Sequence, residues 1–228
     1  MANWRDLYQA TRAGSIREKG VQLYQIHEIF TSIQFEGQHH GTRALFVRFF
    51  GCNLYGICEG CDTPQSIFES RSRDGLLKEI NEEGRDCNMV VLTGGEPCLQ
   101  PIHLLLYEIP HNLVGIETNG TRPAEAELCK EHGAWLTFSP KPIEDWQKRY
   151  KKMFSLADEI KIVLGMVPTP EEDLVKVCEA IDPPIPLFVQ PKWDEKARKC
   201  NLLETLKFIQ RHPKWKLSFQ LHKLLGMK

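Results

Sequence analysis

The sequence is short of the features that mark membrane, exported or nucleic-acid-binding proteins. No apolar run approaches the roughly 20 residues needed to span a bilayer. The start, Met1-Ala-Asn-Trp-Arg-Asp, is polar, so no export signal and a cytoplasmic location are expected. An excess of one charge is missing too: 29 basic and 30 acidic residues leave a formal net charge of -1. That field is too weak to draw in nucleic acid or an anionic membrane. There is no internal repeat and no low-complexity segment. Eight cysteines without an export signal point to a reducing compartment and against a disulfide framework. At 228 residues the chain fits one domain with a sizeable core. The expected division is an N-terminal extension, residues 1–22, and a core domain, residues 23–228.

What is present centres on Cys52-Asn-Leu-Tyr-Gly-Ile-Cys58-Glu-Gly-Cys61-Asp62-Thr63. Three thiolates on one short loop can hold three corners of a metal or iron–sulfur centre. A structural zinc or an ordinary four-iron cluster wants a fourth protein ligand. Cysteines 87, 98, 129, 178 and 200 form no second pair at ligand spacing. The simplest expectation is a three-cysteine centre with one corner open to something that is not protein, which suits catalysis. A zinc site completed by a distant His or Cys is the competing expectation. His39 and His40, adjacent in a polar loop, are expected to be solvated rather than ligands.

Around this loop, apolar β-rich runs alternate with helical patterns. Strands are expected at Leu23–Ile33 (an edge strand), Ala44–Phe50, Met89–Thr93, Leu113–Glu117, Ala134–Phe138, Glu159–Leu164, Ile185–Pro191 and Trp215–Gln220. Helices are expected over 73–82, 100–109, 143–153 (on the surface) and 201–211. Two further helices open on Pro123 and after Thr169-Pro170, where a cap residue, a proline and early acids coincide. The alternation argues an α/β fold, a parallel sheet curling into a full or partial barrel. Polar clusters close the strands: the cysteine loop, Thr93-Gly-Gly-Glu96, Glu117-Thr-Asn119, Ser139-Pro140-Lys141, Gln190 and Gln220-Leu-His222. In such sheets the ligand site lies at the C-terminal edge. Arg48, a charge inside an apolar strand, must meet water, a structural partner or a ligand carboxylate, because an unpaired buried cation is costly.

Taken together, these stretches resemble the radical S-adenosylmethionine (SAM) superfamily. Within it they resemble the ring-contracting 7-carboxy-7-deazaguanine synthase family of queuosine biosynthesis. The resemblance is carried, over roughly residues 24–225, by Glu28-Ile-Phe-Thr-Ser-Ile-Gln34, Glu36-Gly37, Phe46-Val-Arg48, Gly51-Cys52-Asn-Leu and Cys61-Asp62-Thr63. Thr93-Gly-Gly-Glu-Pro97, Glu117-Thr-Asn-Gly-Thr121, Ser139-Pro-Lys141 and Gln220-Leu-His-Lys223 complete it. It implies a partial (β/α)6-type barrel with reduced helices. Cys52, Cys58 and Cys61 would hold a [4Fe-4S] cluster whose fourth iron takes SAM. Gly60, Asp62, Gly95, Glu96, Ser139, Pro140, Lys141 and Gln190 would contact SAM. Ile33, Gln34, Phe35, Glu36, Arg48, Thr93 and His222 would meet a pterin substrate, and Thr63 would bind Mg2+. A homodimer and a flavodoxin- or ferredoxin-like electron donor are implied as well.

Two departures stand out. The cysteine spacing is five then two, where the family has three then two. Phe35 also replaces a family glycine, so it is expected to be incompatible with any positive φ there. Its ring would intrude on, or stack against, a flat bicyclic substrate. A glycyl-radical-type activase shares the cysteine loop but leaves Gln34, Arg48 and Thr63 unexplained, and a non-catalytic zinc-binding module is the alternative from another class.

Overall fold

The computed structural model describes residues 16–18, 21–58, 61, 67–110, 113–141, 143–166, 171–194 and 197–226. Seven strands run parallel side by side: β3 (Thr42–Phe49), β5 (Met89–Gly94), β6 (Val114–Thr118), β7 (Trp135–Phe138), β8 (Glu159–Leu164), β9 (Leu187–Pro191) and β12 (Trp215–Leu217). The long strand β2 (Val21–Gln34) lies antiparallel to β3. Strands β1 (Ile16–Glu18) and β4 (Glu69–Ser72) pair with the start of β2. A separate small ribbon joins β10 (Trp193–Asp194) to β11 (Lys199–Cys200).

The helices are α1 (Arg73–Glu83), α2 (His103–Leu106), α3 (Pro123–Glu131), α4 (Trp146–Tyr150), α5 (Met153–Leu156), α6 (Glu171–Glu179), α7 (Leu202–Arg211) and α8 (Leu221–Leu225). Ser72 caps α1 by accepting a hydrogen bond from Gly75 N, the role its short hydroxyl favours. The cap proposed at Thr169 lies outside the described residues, although α6 begins where it would place it.

Alternation along each strand separates two faces. Leu45, Val47, Phe49, Val90, Leu92, Ile116, Leu136, Phe138, Ile160, Ile162, Leu187 and Val189 join one apolar core beneath the helices. Their sequence neighbours face the other, concave side. At one end of that side Ala44, Met89 and Val91 form a small apolar cluster with Phe46. Beyond it the concave side is polar, carrying Arg48, Thr93, Glu117, Lys161 and Gln190. The architecture is thus a mixed α/β partial barrel, with helices on one face of a mostly parallel sheet.

Several elements differ from expectation for identifiable reasons. The β2 segment is not simply an edge strand, because its first half is flanked by β1 and β4. The helix expected over 100–109 shrinks to α2 after a 3-10 turn at Pro97–Leu99. Gln100 is drawn out of it: its side chain accepts from Gln25 N at 2.8 Å and donates to Gln25 O at 3.0 Å. The surface helix expected over 143–153 is two short helices, α4 and α5, with Tyr150 and Met153 fully buried. The last strand stops at Leu217, and α8 follows.

The loop between β2 and β3 folds across the N-terminal edge of the sheet and floors the barrel. Gln38 N donates to the Glu159 carboxylate at 2.8 Å, and Gly37 N donates to Ser218 Oγ at 3.2 Å. Gly37 needs its φ of +66° there, and a Cβ would lie 2.2 Å from Glu159 Oε1. His39 is not a purely solvated loop residue: its ring packs edge-on against Trp135 at 4.6 Å.

Candidate active site

A cavity of 240 Å³ occupies the concave side, running from the cysteine loop at the C-terminal edge down to the floor loop. Its upper wall begins where β3 ends. Gly51, at φ +93°, turns the chain so that Cys52 points at the cavity. Leu54 N lies 3.4 Å and Asn119 Nδ2 3.8 Å from Cys52 Sγ, both as donors. Asn119 also donates to Asn53 Oδ1 at 3.2 Å, and Asn53 donates to Thr121 Oγ1 at 2.7 Å. These bonds tie the cysteine loop to the turn after β6.

The glycines after β5 permit a close approach. Gly95 N donates to Phe49 O at 3.0 Å, and Glu96 N donates to Gly51 O at 2.8 Å. A Cβ on Gly95 would stand 2.1 Å from the Gly51 carbonyl oxygen, which is backbone and cannot swing aside. Gly95→Ala is therefore expected to cost about 1–3 kcal/mol, as overpacking does. Its denaturation midpoint should fall while a cavity-facing change such as Ser139→Ala leaves the midpoint nearly unmoved.

Glu96 itself does not line the cavity. It is fully buried on the helix side of the sheet, and its carboxylate accepts from Cys98 N at 3.0 Å, Thr118 Oγ1 at 2.7 Å and Asn119 N at 2.6 Å. Burial pushes its carboxyl above the usual range, although these donors offset part of the effect. Here Glu96 acts as a brace that holds the Thr118-Asn119 turn against the cysteine loop, whereas the resemblance implies a contact with SAM. Pro140 is likewise buried off the wall, while its neighbours Ser139 and Lys141 are on it. Lys141 Nζ donates to Ser139 O at 3.0 Å and Ser139 Oγ at 2.6 Å. Burial pushes its ammonium below the usual range, and the nearby Cys58 pulls the other way.

Lower down, a charge network crosses the barrel. Thr93 Oγ1 donates to Glu117 Oε2 at 2.9 Å, and Gln34 Nε2 to Glu117 Oε1 at 3.3 Å. Lys161 Nζ lies 3.3 Å from the same oxygen and also pairs with Glu36. Burial alone would push Lys161 down, but Glu117 and Glu36 outweigh it and hold the ammonium above its usual range. Burial would likewise push Glu36 up, but Lys161, with His222 and Gln220, holds it below. Arg48 Nε donates to Glu28 Oε1 at 3.0 Å, directly across the β2–β3 register, so a structural partner is present even though Arg48 lines the cavity. Gln190 accepts from Ser218 Oγ at 3.0 Å.

The cavity thus gathers Cys52, Cys58, Cys61, Gly95, Ser139, Lys141, Gln190, Ile33, Gln34, Phe35, Glu36, Arg48, Thr93 and His222. Gly60, Asp62 and Thr63 lie outside the described residues. Phe35 sits on the wall without a positive φ; among the described non-glycine residues only Asp145 and Arg198 have one. The conformational objection to a bulky residue there therefore does not arise. Sequence reasoning missed Lys161, Glu28 and the role of Glu117. A signal existed for the first: Glu159 and Lys161 alternate with isoleucines in a buried strand, which requires one polar interior face.

The wall suits an iron–sulfur cluster. The three loop cysteines are free thiols on one cavity, and the other five cysteines are absent from its lining. Burial pushes the Cys52 thiol up to about 12. A bound metal reverses such a preference, because it selects the thiolate, and the two N–H donors at Cys52 Sγ favour that form. Among the described residues, no three His, Cys, Asp or Glu side chains converge at common ligand distance.

Comparison with known proteins agrees. No protein-family model matches the chain. The 7-carboxy-7-deazaguanine synthase of Bacteroides thetaiotaomicron is 35% identical over 209 residues, 90% of this chain and 100% of that one. The synthase of Haemophilus influenzae is 32% identical, covering 90% of this chain and 94% of that protein. Among solved structures, QueE from Escherichia coli superposes with a TM-score of 0.63 at 28% identity, covering 87% of this chain and 94% of that one. With that likeness running over nearly the whole length, and the cysteine loop and polar barrel interior facing one cavity, the chain belongs to the 7-carboxy-7-deazaguanine synthase family of radical SAM enzymes, which work with an iron–sulfur cluster and SAM.

Proposed function

We propose that the protein converts 6-carboxy-5,6,7,8-tetrahydropterin to 7-carboxy-7-deazaguanine with loss of ammonia, in the biosynthesis of queuosine and related 7-deazapurines. The observation that carries this is one cavity joining three free cysteines at its mouth to a floor of fixed charges and aromatic rings. Cys52, Cys58 and Cys61 hold the cluster. When bound, the cluster and SAM would supply one-electron, hydrogen-abstracting chemistry.

The remaining chemistry belongs to the chain's own residues. Ser139, Lys141 and Gly95 on the upper wall and Gln190 lower in the cavity meet SAM, and Gly60 and Asp62 contribute to the same binding. Ile33, Gln34, Phe35, Glu36, Thr93 and His222 enclose the pterin and exclude water. Arg48 holds the anionic end of the substrate through charge-assisted hydrogen bonds, its guanidinium kept in place by Glu28. Thr63 would hold a Mg2+ ion, a hard oxygen-liganded cation that would supply charge to the substrate carboxylate. A flavodoxin- or ferredoxin-like protein delivers the electron, the enzyme is a homodimer, and it works in the cytoplasm. Among the described residues no helix is long and apolar enough to cross a membrane.

The direct test is anaerobic incubation with the reduced pterin, SAM, Mg2+ and a reductant. Formation of 7-carboxy-7-deazaguanine is the expected result. Protein loaded with iron and sulfide that cleaves SAM yet makes none of this product would defeat the assignment. Arg48→Ala should raise KM for the pterin roughly 10- to 100-fold, the worth of hydrogen bonds to a charged group. Formation of 5′-deoxyadenosine without substrate should stay near the wild-type rate; an equal collapse of that reaction would remove Arg48 from the substrate site. Chelation of Mg2+ should lower product formation and leave the iron content intact.

A further inference from the structure

We propose that Phe35 is a specificity-determining residue whose ring, opposite the imidazole of His222, grips the flat pyrimidine half of the substrate face-on. This rests on the pterin assignment above. The two rings come from opposite ends of the chain and both line the cavity. Their centroids are 6.5 Å apart and their planes 24° from parallel.

That spacing sits at the far end of the range for aromatic pairs, so each ring leaves its partner's face incompletely covered. A flat ring stacked between two others separates them by roughly 7 Å, twice the carbon–carbon contact distance. Small side-chain rotations, common when partners bind, supply the difference. The cavity holds a second aromatic pair with a different geometry. Phe30 and Phe46 form an offset stack, centroids 5.2 Å apart and planes 9° from parallel, too close for a third ring to enter between them.

Phe35 is also held ready. Glu36 N donates to Gln34 Oε1 at 3.0 Å, Glu36 is paired with Lys161, and Gly37 N is bonded to Ser218. The flanking backbone is therefore pinned on both sides, and the His40 ring packs edge-on against Phe35 at 6.0 Å. A pre-ordered aromatic face costs little further entropy on binding. The charged groups below it can satisfy only the edges of a heterocycle, whereas the two rings supply its faces.

The test uses the anaerobically reconstituted holoenzyme and 6-carboxypterin, a fluorescent ring that is not the reduced substrate. Wild-type enzyme is expected to bind it and quench its fluorescence. Phe35→Leu, which keeps an apolar side chain, should raise Kd roughly 10- to 100-fold, the worth of one base-stacking contact, and abolish the quenching. Phe35→Tyr should restore both. Wild-type affinity and quenching in Phe35→Leu would overturn the clamp while leaving the ring-contraction assignment standing. A wild-type enzyme that does not bind the probe also overturns the clamp. If that enzyme makes no 7-carboxy-7-deazaguanine either, the functional assignment falls with it.

Discussion

Cys52→Ala is expected to abolish product formation while leaving a folded protein. Cys52 is only half-buried, and its sulfur faces the cavity rather than the core. Truncation therefore leaves little void and costs little stability. Chemically the loss is large, because two cysteines cannot hold a four-iron cluster that already lacks a fourth protein ligand. Turnover should fall well beyond the roughly 10- to 100-fold caused by losing a mere support of a metal ligand. Iron and sulfide content after anaerobic reconstitution, and 5′-deoxyadenosine formation, are the measurements. Cys98→Ala and Cys129→Ala provide the contrast. Both thiols belong to the core under the helices, so these variants should lose stability and keep their iron. Wild-type iron and turnover in Cys52→Ala would show that the loop cysteines are not the ligand set.

The second large effect is expected of Lys161→Met. The ammonium is buried, paired with Glu36 and 3.3 Å from Glu117. Methionine keeps the volume and leaves two carboxylates in the cavity without their cation. Removing one partner of a buried ion pair costs about 3–5 kcal/mol. The pH dependence gives a signature that a simple packing defect lacks. In the wild type Glu36 is held below its usual range, so its contribution is present above the ordinary carboxylate pKa and fades only as pH falls through the lowered value. Lys161 is held above its usual range, so its contribution is complete below the ordinary lysine pKa and fades only at more alkaline pH. Between those limits the Glu36–Lys161 pair should add no slope to the wild-type stability profile. Without Lys161, burial dominates at Glu36, its pKa rises, and the variant should regain stability as pH drops from roughly 8 to 5. Chemical denaturation at several pH values reads this out. A variant curve parallel to the wild type would mean the network contributes packing alone.

These predictions draw unequally on sequence and on structure. The cysteine trio was legible because three thiols in ten residues among Gly, Asn and Asp suit no core strand. The parallel strands were legible because runs such as Met-Val-Val-Leu are apolar on both faces, as a strand in a covered sheet must be. Two elements failed because distant contacts overrode local propensity. Gln100 leaves its helix to bond the backbone of β2, and the segment over 143–153 breaks so that Tyr150 and Met153 can enter the core. The bracing role of Glu96 is not legible in its motif, because its partners Thr118 and Asn119 come from the turn after the neighbouring strand.

By itself, then, the sequence determined the alternation of strand and helix, the cysteine loop, and the polar residues that close each strand. Those depend on local spacing and on what a buried strand can tolerate. Only the tertiary structure decided which carboxylates share Lys161, that Glu28 reaches Arg48, and that Phe35 faces His222. Such pairings are made by the curl of the sheet, which carries residues far apart in the chain to within a few ångströms, and local periodicity holds no record of that distance.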